Sequence, residues 1–244
     1  MSGHSKWHSI KHQKASEDKK KGKIFSKLVR EITVAARQGG GKADMNPRLR
    51  LAIEKANDAN MPKDNIVKAI KRGTGELPGV SYIETLYEGY GPCGVAVMVE
   101  AATDNKNRTV SDVRKIFSEN DGSLGESGCV SWMFKKKGFI AVSKKEISEE
   151  KLMEYVLELD VEDIDSSSEE VHEIITAPEG FSEVREKLKE KIDIREAELT
   201  MIPETYVKLE GRSAEKMMNL INALEENDDV QQVFANFDID EDGC

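Results

Sequence analysis

Cysteine is scarce in this chain of 244 residues, with only Cys93, Cys129 and Cys244, far apart and without a CxxC pair. That excludes a disulfide framework and a cysteine zinc site, and fits thiols kept in a reducing compartment. Aromatic residues make up 6% of the chain, and only two are tryptophan. No apolar run approaches the ~20 residues that a membrane helix needs. The opening Met1-Ser2-Gly3-His4-Ser5-Lys6-Trp7 has no apolar signal-peptide core, so a cytoplasmic location is expected. There is no GxxxxGK[ST] phosphate loop and no GxSxG elbow. Of the four histidines three stand within the first twelve residues, and the fourth, His172, lies in a strand pattern where a structural role is expected. No pairing of nucleophile and base emerges, so no catalytic residue is expected.

Charge is abundant at 34%, and it is segregated. Residues 1–75 carry 18 basic and 7 acidic side chains, a net +11, whereas residues 76–244 carry 18 against 39, a net −21. A basic end on an acidic body points to contact with nucleic acid or a membrane surface. The run is densest at the start. Lys6, Lys11, Lys14, Lys19, Lys20, Lys21, Lys23, Lys27 and Arg30 surround Trp7, His8 and His12. Phosphates attract such a run through Coulomb force and counterion release, and Trp7 is placed to stack on an unpaired base. These residues form the first candidate nucleic-acid site. His4, His8 and His12 would share a helix face, but no cysteine or acid joins them, so no metal site is expected.

Apolar periodicity predicts three amphipathic helices in the basic part. The first runs from Gly22 with Ile24, Phe25, Leu28, Val29, Ile32, Ala35 and Ala36 in register, and Gly39-Gly40-Gly41 ends it. Asn46-Pro47 reads as the N-cap and first residue of the second, and Met61-Pro62 opens a third that stops at Gly73. No recognition helix of the helix-turn-helix type stands out. Strands are then expected at 85–88, 95–101 and 129–134, with a helix at 109–118 and a turn at Lys135-Lys136-Lys137-Gly138. From 139 to 201 the order is β, α, β, β, α, β, the ferredoxin-like arrangement. A strand at 205–209, a helix at 214–224 and a strand at 230–237 follow, too few to fold alone, so they are expected to complete the earlier elements. The fold class is α+β: an N-terminal three-helix bundle and two ferredoxin-like α/β domains, one inserted into the other. The expected domains are 1–78, then 79–137 with 202–244, and an insert at 138–201.

The loop Asp104-Asn105-Lys106-Asn107-Arg108-Thr109 joins a strand to a helix. Free N–H groups at the helix start beside Lys106 and Arg108 make Asn105, Lys106, Asn107 and Arg108 a second candidate phosphate contact. The alternative is a simple cap by Asn107 or Thr109. The glycine-rich stretch 122–129 leads into an expected strand and lacks the order of a nucleotide loop.

Four separated stretches carry a resemblance: Gly3-His4-Ser5-Lys6-Trp7, Leu86-Tyr87-Glu88-Gly89-Tyr90-Gly91-Pro92, Thr103-Asp104-Asn105 with Asn107-Arg108-Thr109, and Ser131-Trp132-Met133-Phe134. Together they resemble the YebC family, and the similarity spans nearly the whole chain. The resemblance implies a three-domain cytoplasmic protein, a probable DNA-binding transcriptional regulator. Related members, including a mitochondrial translational activator of cytochrome oxidase, are associated with ribosomes and translation. It brings no catalytic residue, cofactor or metal. Cys93 and Cys129 stand where the family usually has Gly and Ser, and whether Cys129 is a reactive thiol or a buried, inert one stays open. The expected partner is nucleic acid, either DNA or the RNA of a ribosome. A basic protein docking on the acidic body is the alternative. No membrane and no small-molecule substrate are expected.

Overall fold

Three glycines stop the first helix, an asparagine starts the second, and a left-handed turn leads to the third. The structure, a computed structural model, describes residues 17–239, with side chains from residue 22 onward. In chain order the elements are α1 (Glu17–Gly39), α2 (Pro47–Asp58), α3 (Lys63–Gly73), β1 (Ile83–Tyr90), β2 (Ala96–Thr103) and α4 (Lys106–Glu119). There follow β3 (Ser123–Leu124), β4 (Phe134–Ser143), α5 (Glu149–Val156), β5 (Val161–Asp165), β6 (Val171–Thr176) and α6 (Phe181–Lys189). The chain closes with β7 (Ile194–Pro203), β8 (Val207–Leu209), α7 (Gly211–Glu226), β9 (Val230–Ala235) and β10 (Phe237–Ile239). Among the described residues no helix is long and apolar enough to cross a membrane. The architecture is α+β, as the sequence pattern implies.

Within the described residues the chain forms two compact units, one of residues 17–131 with 211–235, the other of 132–210 with 236–239. The first unit begins with the helix bundle. Ile32, Ala35 and Ala36 of α1 pack against Leu49, Ala52 and Ala56 of α2 and Ile66 and Ala69 of α3. The alanines let the axes approach closely, so a short apolar stripe builds a dry core. Asn46 fixes the α1–α2 corner: its Oδ1 accepts from the Leu49 N–H at 3.0 Å, and its Nδ2 donates to the Ala35 and Gly40 carbonyls at 2.8 and 2.9 Å. The capping signal in Asn46-Pro47 is thus real, and the same side chain also ties down the end of α1.

The rest of that unit is a four-stranded antiparallel sheet in the order β3-β1-β2-β9, with α4 and α7 packed on it. Its two central strands are a hairpin, with Ile83 opposite Thr103 and Tyr90 opposite Ala96. The hairpin turns between Tyr90 and Ala96, where Cys93 and Gly94 have φ of 58° and 76°.

The second unit has a four-stranded antiparallel sheet ordered β5-β6-β4-β7, with α5 and α6 as crossovers. That is the ferredoxin-like order expected from the element sequence. Phe139, Ala141, Val171 and Ile175 form a core on one face, and Ile202 closes it. A short parallel pair of β8 and β10 accompanies it. The first sheet shares four strands and two helices with this one but has its own strand order.

Three local expectations are corrected. Residues 129–134 are not a strand; they form a turn and a short 3-10 segment, and β4 begins only at Phe134. Lys135, Lys136, Lys137 and Gly138 do not turn the chain but lie inside β4, paired with Met201, Thr200 and their neighbours on β7. Lysines on an edge-facing stretch read as a turn because their charge hides the period-2 pattern. The expected strand at 230–237 is two strands, interrupted at Asn236.

Candidate nucleic-acid interface

The expected phosphate-binding residues fall into three groups. Lys6, Trp7, His8, Lys11, His12 and Lys14 lie outside the described residues. Lys19, Lys20 and Lys21 lie on α1, but their side chains are outside the description. The others can be placed, and most of them serve the fold.

Lys23 and Lys27 reach from α1 to the C-terminal end of α7, where their Nζ atoms donate to the carbonyls of Glu226 and Glu225, each at 3.0 Å. Those carbonyls have no intrahelical partner, and the helix dipole favours a cation beside them. Arg30, one turn on, donates to the Ala102 carbonyl at 3.1 Å and to Asp229 Oδ1 at 2.6 Å. Its guanidinium also lies 5.2 Å from the centre of the Tyr82 ring. Phe25, Ser26, Val29, Arg30 and Tyr82 line a shallow open pocket there.

Asp229, between α7 and β9, is the centre of this network, and nothing in the sequence pattern marked it. Its Oδ2 accepts from Arg108 Nη2 at 2.8 Å, Thr109 Oγ1 at 2.7 Å and Thr103 Oγ1 at 3.1 Å. Arg108 also holds Asp104 at 2.8 Å. Burial works against the Asp229 charge, but Arg108, Thr109 and Arg30 outweigh it and hold the carboxyl at a pKa of about 2. Asn105 accepts from the Arg108 N–H at 3.1 Å, so it, and not Asn107 or Thr109, is the cap of α4. Lys106 and Asn107 are exposed in the first turn of α4. The stretch from Thr103 to Thr109 is therefore a structural junction, with Lys106 and Asn107 left facing solvent.

A second buried acid organises the glycine-rich loop. Glu88 of β1 accepts from the N–H groups of Gly128 at 2.8 Å, Val130 at 2.9 Å and Ser131 at 2.7 Å. Burial opposes its charge, yet these donors keep its pKa below the usual carboxylate range. The Tyr90 hydroxyl donates to the Cys129 carbonyl at 3.1 Å. Burial and then the Glu88 carboxylate push the Cys129 thiol up, which disfavours the reactive thiolate. His172 is buried, with Nδ1 2.8 Å from Ser166 Oγ and Nε2 donating to the Ile147 carbonyl at 3.1 Å, so both ring nitrogens are engaged.

Among the described residues, α3 gathers several exposed cations on one short helix. Lys63, Lys68, Lys71 and Arg72 are all exposed, and none makes an ion pair with a described residue. Between them Val67 stands 48% exposed, while Ile66 and Ala69 on the opposite side are buried in the bundle. The sequence signal was present in Lys63–Gly73 as an amphipathic helix with four basic residues and one acid, Asp64, on its polar side. The denser run before it has higher charge, but several of its cations are committed to partners within the fold. The turn leading to α3 has Asn60 at φ 58° and a 2.9 Å bond from the Met61 N–H to the Ala56 carbonyl. Two helices joined by a tight turn with one left-handed residue have the connectivity of a helix-turn-helix, which sequence periodicity alone did not reveal.

Comparison with known proteins places these features in a wider group. Residues 5–76 match the model of the TACO1/YebC protein N-terminal domain, and residues 82–237 that of the TACO1/YebC second and third domain. A probable transcriptional regulatory protein of Geobacter sulfurreducens is 57% identical over 240 residues, 98% of this chain and 96% of that one. One from Dictyoglomus turgidum is 56% identical over 241 residues, with 98% and 96% covered. The crystal structure of a conserved hypothetical protein from Aquifex aeolicus superposes with a TM-score of 0.85 at 53% identity, covering 95% of this chain and 96% of that one.

Proposed function

The chain belongs to the TACO1/YebC family, and on that premise we propose a cytoplasmic, non-enzymatic regulator of gene expression that binds nucleic acid through its basic N-terminal part. One observation carries the reading. Among the described residues the exposed cations of α3 have no carboxylate in ion-pair contact, although the chain beyond residue 75 carries a net −21. A protein that left such cations unpaired for solubility alone would not need them on one face of one helix. The names of the relatives, probable transcriptional regulatory proteins, agree with it. The buried titratable groups Asp229, Glu88 and His172 are each engaged in hydrogen bonds within the fold, which favours structural roles for them.

Cross-linking in cells followed by parallel sequencing of bound DNA and RNA tests this, with a chain lacking residues 1–22 as control. Discrete promoter DNA is the expected recovery, reduced in the control. Ribosomal RNA in its place would make the protein a translation factor, and recovery of neither would remove the nucleic-acid reading.

A further inference from the structure

We propose that the outward face of α3 is a duplex-DNA docking surface, with α3 lying in the major groove; this rests on the nucleic-acid reading above. The face consists of Lys63, Asn65, Val67, Lys68, Lys71 and Arg72, all exposed. Asp64, the one acid of α3, sits in the first turn, where it complements the helix dipole. Asp64 shares the exposed side and Gly79 packs against the Arg72 stem, but no described residue makes an ion pair with these four cations.

The occupant follows from charge and shape. Four unpaired cations on one helix face match a phosphate backbone. Eleven residues of helix span about 16 Å, and a helix with its side chains is about as wide as the ~12 Å major groove of B-form DNA. The deep, narrow major groove of A-form RNA does not admit side chains in this way. The buried side of α3, Ile66 and Ala69, clamps it to α1, so the helix is presented rigidly. The α2–α3 turn, with left-handed Asn60 and buried Met61, sets the direction in which α3 leaves α2. Lys63, Val67 and Lys71 repeat every four residues along the ridge that would enter the groove, and Lys68 and Arg72 run beside it toward the phosphates. This also accounts for the placing of Lys23, Lys27 and Arg30, which hold α1 in place and leave binding to its neighbour.

The test is fluorescence anisotropy of the full chain with a labelled mixed-sequence DNA duplex and an RNA duplex of equal length, across a salt series. The variants are Lys68→Glu with Lys71→Glu, and the milder Lys68→Ala with Lys71→Ala. Both positions are exposed, so the fold is kept. Lys145→Glu with Lys151→Glu, exposed on the other unit, is the charge-matched control. We expect the wild type to prefer DNA and the Glu pair to bind it roughly tenfold or more weakly, with the salt slope reduced by about 2. The Ala pair should fall between, and the control should match the wild type. If the α3 variants keep wild-type affinity and slope while the wild type binds, the α3 surface is wrong and the nucleic-acid reading stands. RNA bound as tightly as DNA overturns the groove assignment. A wild type that binds neither duplex at low salt overturns the functional reading itself.

Discussion

Asp229 shows how one carboxylate can hold several elements together. It pairs with Arg30 from α1 and Arg108 from α4, and its oxygens also accept from two threonines. Replacing it by Asn leaves Arg30 half-buried beside a neutral amide, and removing one partner of a buried pair is costly. Asp229→Asn is expected to lower stability by about 3 kcal/mol in urea unfolding at neutral pH. The carboxyl is held at about 2 when folded, against an ordinary 3.8. Its contribution is therefore complete above pH 4 and is lost as the pH falls from about 4 to 2. The charge part of that contribution is about 2 kcal/mol, so the gap between wild type and Asp229→Asn should narrow over that window. Cys93 offers the opposite case. It occupies a left-handed position, φ 58°, where a side chain costs about 1–2 kcal/mol. Cys93→Gly should therefore raise stability by roughly 1 kcal/mol after the extra freedom of unfolded glycine is counted, read as an increase in Tm.

Among the elements, the bundle is the one whose chemistry was plainest in the sequence. Asn46-Pro47, Gly39-Gly40-Gly41 and the Ile32, Ala35, Ala36 spacing act locally, so their meaning survives without tertiary context. The same holds for the β, α, β, β, α, β order of the second sheet. What periodicity misread, at 129–134 and 135–138, depends on partners distant in sequence: Glu88 donates no pattern to residues 128–131, yet its carboxylate shapes them. Part of the candidate site was hard to read for a similar reason. Lys23, Lys27 and Arg30 look like phosphate ligands until their partners, some two hundred residues away, are known. The α1–α3 crossing gives a direct test of the packing. A Cβ on Gly73 would collide with the Thr33 carbonyl and come within 2.7 Å of the Ala36 methyl. Gly73→Ala should cost about 1–3 kcal/mol, despite alanine's better helix propensity, and thermal unfolding should show the loss.

At the scale of the whole molecule, chain order and spatial order disagree. The unit that holds the bundle takes its last helix and edge strand from residues 211–235, after the chain has built most of the other unit. A chain ended after Glu210 would lack α7 and β9, leaving Lys23, Lys27, Arg30 and Arg108 without those partners. Such a chain is expected to show no cooperative unfolding of the first unit, and limited proteolysis should cut it within residues 83–131 while the full chain resists.

The long reach from Arg30 to Asp229, 199 residues, also has a meaning in time. As the chain leaves the ribosome, α1 emerges early with three cations whose acceptors are not yet made. At about 5–20 residues per second those acceptors arrive roughly 10–40 s later. For that interval the basic helix is bare, next to the most phosphate-rich surface in the cell. Completion of α7 and β9 is the event that withdraws Lys23, Lys27 and Arg30 from it, so the finished protein is less sticky than its own nascent form.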